Sequence, residues 1–347
     1  MAPEIRWFRW AWWVVCSIGV CSHLGCVARP EGELVLYSAA DREYAAPILA
    51  AFARKTPGVS VAPVYDIESS KTVGLVNRIE NEAGQPKCDL FWNNEILHTI
   101  RLEQAGLLQP LSGIIPADWP KSMRGASSQW IGFAARARVL LVNRDKLPDS
   151  TQWPRSVMEL ADPKWNQQCA VALPLFGTTA THFAVLEAKL GSEAASNWFR
   201  QVKQNATVLS GNKQVAQAVA AGHVLFGLTD TDDAILEIDS GMPVAMVFPD
   251  QQSDDLGTLL IPNTLSIPKG CAHPAAAKTL AAYLLSEDIE GRLAMGPSGQ
   301  IPIRPGHPQK SRAAPPDNLR KMEVDYAEVA GRWSATSTLL RTIFRGE

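Results

Sequence analysis

Residues 228 to 234 read LTDTDDA and place Asp230, Asp232 and Asp233 beside Thr229 and Thr231. The preceding HVLFG has the apolar character of a strand and the following ILEI can begin a helix, so the stretch sits at a strand-to-helix turn, a common location for sites. Two chemistries fit. The aspartates can hold a cation, because carboxylate oxygens are hard anionic donors. Asp and Thr can equally cap the following helix by accepting from its first free N–H groups. A second polar group, LFGTTATH at 175 to 182, has Gly177 for close backbone approach to an anion and the Thr178 and Thr179 hydroxyls as donors. It stands at the start of another helical pattern, where the helix N-terminus adds positive potential. Helix capping again competes as an explanation.

Elements of alternating type must position these groups. ELVLYSA, VSVAPVYD, CDLFWNN, IGFAARARVLLVN, QCAVALP and HVLFGLTD read as strands, and REYAAPILAAFARKT, KTVGLVNRIENEA, ATHFAVLEAKLG, ASNWFRQVKQN and KQVAQAVAAG read as helices between them. The order is α/β. Helical crossovers imply mostly parallel strands with sites at their carboxyl ends. The polar clusters SAADRE, WNNE, LFGTTATH and TDTDD all fall at those ends. A Pro-rich linker, RPGHPQKSRAAPPDN, precedes a helical tail expected from Leu319 onward.

The bulk properties exclude several classes. The 347 residues are 46% hydrophobic and 20% charged, with net charge −2, which argues for a globular chain of about two domains and against a nucleic-acid partner. The N-terminus departs from that average. Arg6 and Arg9 precede an apolar run from Ala11 to Cys21, the layout of an export signal. The run is shorter than the ~20 residues of a membrane helix. HLGC ending at Cys26 resembles a bacterial lipoprotein box, so Cys26 is the candidate lipid anchor of the mature chain. Cys88, Cys169 and Cys271 then remain, without metal-ligand spacing and with room for one disulfide at most. Cys88 and Cys169 lie in strand-like runs and are expected to be buried. Paired aspartates could also serve a secreted metal-dependent hydrolase. Against that, the six histidines lack metal spacing and no nucleophile-elbow sequence occurs. A binding protein, not an enzyme, is expected.

The segments LYSAADREYAAPILAAFARKTPGVSV, DLFWNNEILHTIRLEQAGLLQPL, GFAARARVLLVN, FGTTATH, GNKQVAQAVAAG, LTDTDDA and GPSGQIPIRPG follow in an order that resembles bacterial extracellular solute-binding proteins of the ferric-iron type. The resemblance covers nearly all of the mature chain. It implies a two-lobed type II periplasmic-binding-protein fold with a central cleft and two hinge crossovers, near RARVLLVN and LLIPNTLSI. The implied organisation is a signal peptide over 1–26, a first lobe from 32–137 with 266–310, a second lobe over 138–265, and the linker and tail over 311–347. The implied partner is an ABC permease, with a metal ion, iron in the type members, as transported ligand and no resident cofactor.

The resemblance also implies site residues. Ferric members bind iron through adjacent tyrosines in the second lobe, helped by a His and a Glu from the first. Matching strand to strand puts the tyrosine pair on Thr231 and Asp232, the His on Asp41 and the Glu on Asn94, with Glu95 one residue on. No tyrosine stands there. Asp41, Glu95, Asp230, Asp232 and Asp233 would instead give an oxygen-only shell, with Asp41, Glu95 and Asp232 as the expected metal ligands. The loop that holds phosphate or carbonate beside the metal matches Phe176, Gly177, Thr178 and Thr179. Asn212 matches a second anion contact, and Arg138 adds charge there or forms a salt bridge between lobes. The other expected cargo is a small anionic solute such as a phosphonate or phosphate ester.

Overall fold

A computed structural model describes residues 33–66 and 73–347. The export signal and Cys26 lie outside the described residues.

The first six elements alternate as expected: β1 (Glu33–Ser38), α1 (Arg42–Lys55), β2 (Ser60–Tyr65), α2 (Val73–Asn81), β3 (Leu90–Asn93) and α3 (Ile96–Gln104). After the short β4 (Leu108–Gln109) comes β5 (Trp130–Asn143), fourteen residues buried throughout. The second half holds β6 (Cys169–Ala172), α4 (Gly177–Leu190), α5 (Ser192–Asn205), β7 (Thr207–Leu209), α6 (Asn212–Ala220), β8 (Phe226–Asp230), α7 (Thr231–Asp239) and β9 (Val244–Val247). The chain ends with β10 (Leu260–Pro268), α8 (Pro274–Leu284), α9 (Glu287–Met295) and α10 (Tyr326–Arg345).

The strands run in the order β2-β1-β3-β10-β5-β8-β6-β7. β5 is the element that passes between lobes: Trp130 to Ala137 pair with β10, whereas Arg138 to Val142 pair with β8. The change of partner falls within RARVLLVN, between Ala137 and Arg138. β10, which holds most of LLIPNTLSI, is bonded to β3, β4 and the first half of β5. β9 also pairs with the second half of β5, and a bridge between Ala135 and Ile301 adds a further strand-like contact to its first half. Each lobe has its own apolar centre, one around Trp92, Phe133 and Leu280, the other around Trp165, Phe183, Phe199 and Phe226.

Two expectations change. The tail helix begins at Tyr326, not Leu319, because residues 320–322 are bonded to Thr258 as a short parallel bridge. Asp325 then starts the helix by accepting from Ala327 N at 3.0 Å and Glu328 N at 3.1 Å. α10 is more than a tail, since it packs on α3 of the first lobe and on α4 and α5 of the second. Cys88, Cys169 and Cys271 are buried free thiols. Among the described residues no helix is long and apolar enough to cross a membrane.

Candidate functional site

A cavity of about 480 Å³ lies where the ends of β3, β6 and β8 meet the starts of α4, α6 and α7. Asp41, Asn94, Phe176, Gly177, Thr178, Thr179, Asn212, Asp230 and Asp232 line it, with Asp233 beside them. Asp41, Asp232 and Asp233 also line an adjoining cavity of about 620 Å³, together with Glu43, Tyr44 and Lys213. The structure thus brings together both polar groups that open the sequence.

The helix starts supply the anion half. α4 begins at Gly177, whose φ of +58° is open to glycine without steric cost. The N-cap residues of α4, α6 and α7, Phe176, Gly211 and Asp230, make no side-chain cap bond, although at α7 Asp232 accepts from Asp233 N at 3.2 Å. α1 begins at Asp41, also without a side-chain cap. The first N–H groups of a helix need partners, and each N-terminus carries roughly half a positive charge. Three such ends from the second lobe and one from the first meet at the same cavity wall.

Asp230 is committed to the fold beneath that wall. It accepts from Arg138 Nη1 at 2.7 Å, Thr178 Oγ1 at 2.6 Å and Asn212 Nδ2 at 3.0 Å. Burial alone would raise its pKa, but Arg138, then Arg136 and the hydrogen bonds, hold it below the usual carboxylate value. Arg138 also donates to Thr179 Oγ1 at 3.1 Å, so one guanidinium fixes both threonines of the α4 start. Asp230 does not cap α7 with its side chain.

Three predicted residues stand behind the wall instead of on it. Arg138 is fully buried, and its salt bridge is to Asp230 of the second lobe rather than between lobes. Thr231 is fully buried, with Oγ1 accepting from Ala137 N at 3.2 Å on β5. Glu95 is the larger correction to the expected metal shell. Its oxygens accept from Leu97 N at 2.7 Å and His98 N at 3.1 Å, capping α3, and it also accepts from the Thr181 hydroxyl of α4. A carboxylate serving three donors in this way is a cap and an interlobe tie.

Besides Asp230, whose oxygens are taken by Arg138, Thr178 and Asn212, the carboxylates that reach the cavity are Asp41, Asp232 and Asp233. Asp230, Asp232 and Asp233 each offer an oxygen within 4.8 Å of one another, a spacing suited to one cation. The phenol of Tyr44 borders the same group, and burial, with Asp232 as the leading charge, pushes its pKa up and keeps it a neutral donor.

Sequence reasoning missed Arg136. It lines the cavity, lies 3.5 Å from Asp232 and 3.8 Å from Asp230, and donates to the Asn94 carbonyl of the first lobe. Burial would lower its pKa, yet Asp232, Asp230, Asp41 and Asp233 together hold it above the ordinary guanidinium value. Its Nε has no partner among the described residues. The signal was present: residues two apart in a strand share a face, so Arg136 and Arg138 in RAR point the same way. Ser210, Gly211, Gln214 and Arg345 also line the cavity and were not foreseen. Arg345 comes from the last turn of α10, and no local pattern connects it to the cleft.

Comparison with known proteins places this geometry among binding proteins. Residues 48–318 match the family described as bacterial extracellular solute-binding protein. A Serratia marcescens Fe(3+)-binding periplasmic protein is 32% identical over 154 residues, covering 44% of this chain and 45% of that protein. The chain thus matches about half the length of that relative. Iron uptake protein A2 of a Synechocystis strain is 27% identical over 67% of this chain and 70% of its own length. Iron-bound HitA from Pseudomonas aeruginosa superposes with a TM-score of 0.79 at 25% identity, over 90% of this chain and 99% of that one.

Proposed function

The chain belongs to the bacterial extracellular solute-binding proteins, and from that premise we propose that it is the extracytoplasmic receptor of an ABC importer, carrying a hard metal ion bound together with an oxyanion. The two-lobed α/β fold and the binding-protein family support a receptor reading over an enzymatic one.

The observation carrying the cargo reading is the division of the cavity into two halves of opposite character. Asp41, Asp232 and Asp233 form an anionic side, and the uncapped starts of α4 and α6 form a cationic one. A bare cation leaves helix N–H groups unsatisfied, and a bare anion faces carboxylates across a small cavity. A metal with an oxyanion satisfies both. The side-chain donors are oxygens, so the cation is a hard one such as Fe(III) or Mn(II). Charge-assisted bonds from backbone N–H groups suit phosphate or carbonate, while the Thr178 and Thr179 hydroxyls already donate to Asp230 and Asn212 and hold the α4 start in place.

Arg136 favours a second reading. A permanent cation already stands among the carboxylates, which suits a phosphorylated or phosphonate solute whose own amine meets Asp41 and Asp232. Native mass spectrometry with elemental analysis of the purified mature chain separates the two. The metal reading expects one metal and one oxyanion per chain, each tightening the other's binding when Fe(III) or Mn(II) is titrated with and without phosphate. A retained organic phosphate without metal selects the second reading, and metal binding indifferent to phosphate overturns the composite cargo.

A further inference from the structure

The C-terminal helix ends at the cavity, and its role there goes beyond closing the fold. α10 spans both lobes. At its start, Tyr326 donates from its hydroxyl to the Leu260 carbonyl at 2.6 Å, and Trp333 stands edge-on to His98 of α3 with ring centroids 5.4 Å apart. Further along, Arg332 pairs with Glu187 of α4 at 2.7 Å. The last turn is fixed in the second lobe: Leu340 and Ile343 are buried in its core, Phe344 lies 5.9 Å edge-on from Phe183, and Lys203 donates to the Ile343 carbonyl.

That anchoring determines where Arg345 can reach. Its guanidinium carbon lies 5.8 Å from the ring centre of Phe176, at the start of α4, and the side chain lines the cavity. Cation–π contact holds the guanidinium without using its N–H donors. Those donors remain available beside the uncapped first turn of α4. Its side chain is 44% exposed, with Glu347 at 3.7 Å as an exposed partner. On the inner side of the same cavity, Arg136 is more than nine-tenths buried and has an Nε without a partner among the described residues. The α4 start therefore lies in a cavity lined by one fixed and one outward guanidinium.

We propose that Arg345 is a contact residue for the anionic component of the cargo, and that α10 makes the anion half of the cleft selective for oxyanions of two negative charges, of which inorganic phosphate is the simplest. The inference rests on the anion half of the proposed function and is independent of its metal half. Arg136 is already paired with Asp232 and Asp230, so the anion half consists of the open starts of α4 and α6 and the outward guanidinium of Arg345. A dianion offers charge to both helix starts and to Arg345 at once, whereas a monoanion such as bicarbonate offers less to each.

The test uses the full mature chain and two variants, Arg345→Gln and Asn212→Ala, with inorganic phosphate as probe in calorimetry, with and without saturating Mn(II). Arg345→Gln should weaken phosphate about tenfold, the scale of one charge-assisted hydrogen bond. It should also flatten the loss of affinity with added salt, while bicarbonate and Mn(II) alone bind as before. Arg345→Lys should recover part of the loss, since it restores charge without the planar fork. If Arg345→Gln binds phosphate like the parent while Asn212→Ala does not, the Arg345 inference falls and the anion site stands. If the parent binds no phosphate in either condition, the anion reading falls and this inference with it.

Discussion

Helices α3 and α4 are joined near their starts, where the Thr181 hydroxyl donates to Glu95, yet their first turns are treated in opposite ways. At α3, both Glu95 oxygens are spent on Leu97 N and His98 N. At α4, and again at α6, no side chain serves that purpose. A carboxylate at a helix start stabilises a protein in isolation. Omitting it leaves N–H groups and positive potential for something else. The difference separates helix starts that hold the fold from those that face the cavity, and it explains why Glu95, adjacent in sequence to a cavity residue, contributes nothing to the cavity.

Open helix starts need support from beneath, and the largest expected effect lies there. Arg138 ties Asp230, Thr178 and Thr179 together with no exposure to solvent. Arg138→Met would leave Asp230 buried without its principal counter-charge, which costs about 3–5 kcal/mol. Denaturant unfolding of the ligand-free chain reads this directly. A loss below about 1 kcal/mol would mean that the pair does not support the open starts.

The sequence exposed the open starts better than the support. Polar clusters at strand ends are visible because strand and helix periodicities differ, so the α/β order and the loops at Asp41, Asn94, Gly177 and Asp230 could be read directly. Glu95 could not be sorted from them, because a capping carboxylate and a ligating one look alike until the helix start is placed. Arg136 and Arg138 carry the same letter two residues apart, and only the packing of α4 against β5 decides which is covered. Arg345 depends on the path of α10 across both lobes, a property of tertiary packing alone. The late start of α10 has a similar cause: residues 320–322 bond to Thr258, so a locally helical pattern loses to a bridge.

A smaller effect comes from the neutral side of the same support. His182 lies on α4, fully within the protein, and neither ring nitrogen has a partner among the described residues. Burial, then Arg138, lowers its pKa from 6.5 to about 3, with Asp230 opposing. The folded chain thus keeps the ring neutral where the unfolded chain would protonate it. Its contribution to stability is complete above pH 6.5 and is lost as pH falls toward 3, a change on the order of a few kcal/mol. His182→Gln should flatten the stability curve across that window, whereas Asp230 and other carboxylates act at its lower end. Parent and variant curves of equal slope between pH 6.5 and 4.5 would contradict the assignment.

The smallest expected change converts an open start into a closed one. Gly211 precedes α6 with φ −165° and ψ 170°, an extended conformation that any residue adopts. A serine there has the backbone geometry of an N-cap, and its hydroxyl can accept from the first turn. An added Cβ would come within 2.7 Å of Gln214 Oε1, the end of a flexible side chain that can swing aside. Gly211→Ser should stabilise the ligand-free chain by a few tenths of a kcal/mol, the usual difference between Gly and Ser at a cap. Phosphate affinity should fall, because the hydroxyl occupies a donor that the anion would use. Glu95→Ala is the mirror experiment: removing the existing cap should cost about 2 kcal/mol of stability through the lost cap and the orphaned Thr181 hydroxyl. Its effect belongs to the melting temperature of the ligand-free chain and not to phosphate affinity. If Gly211→Ser gains stability and still binds phosphate as the parent does, the α6 start takes no part in anion binding. The contrast between capped and open helices would then belong to α4 alone.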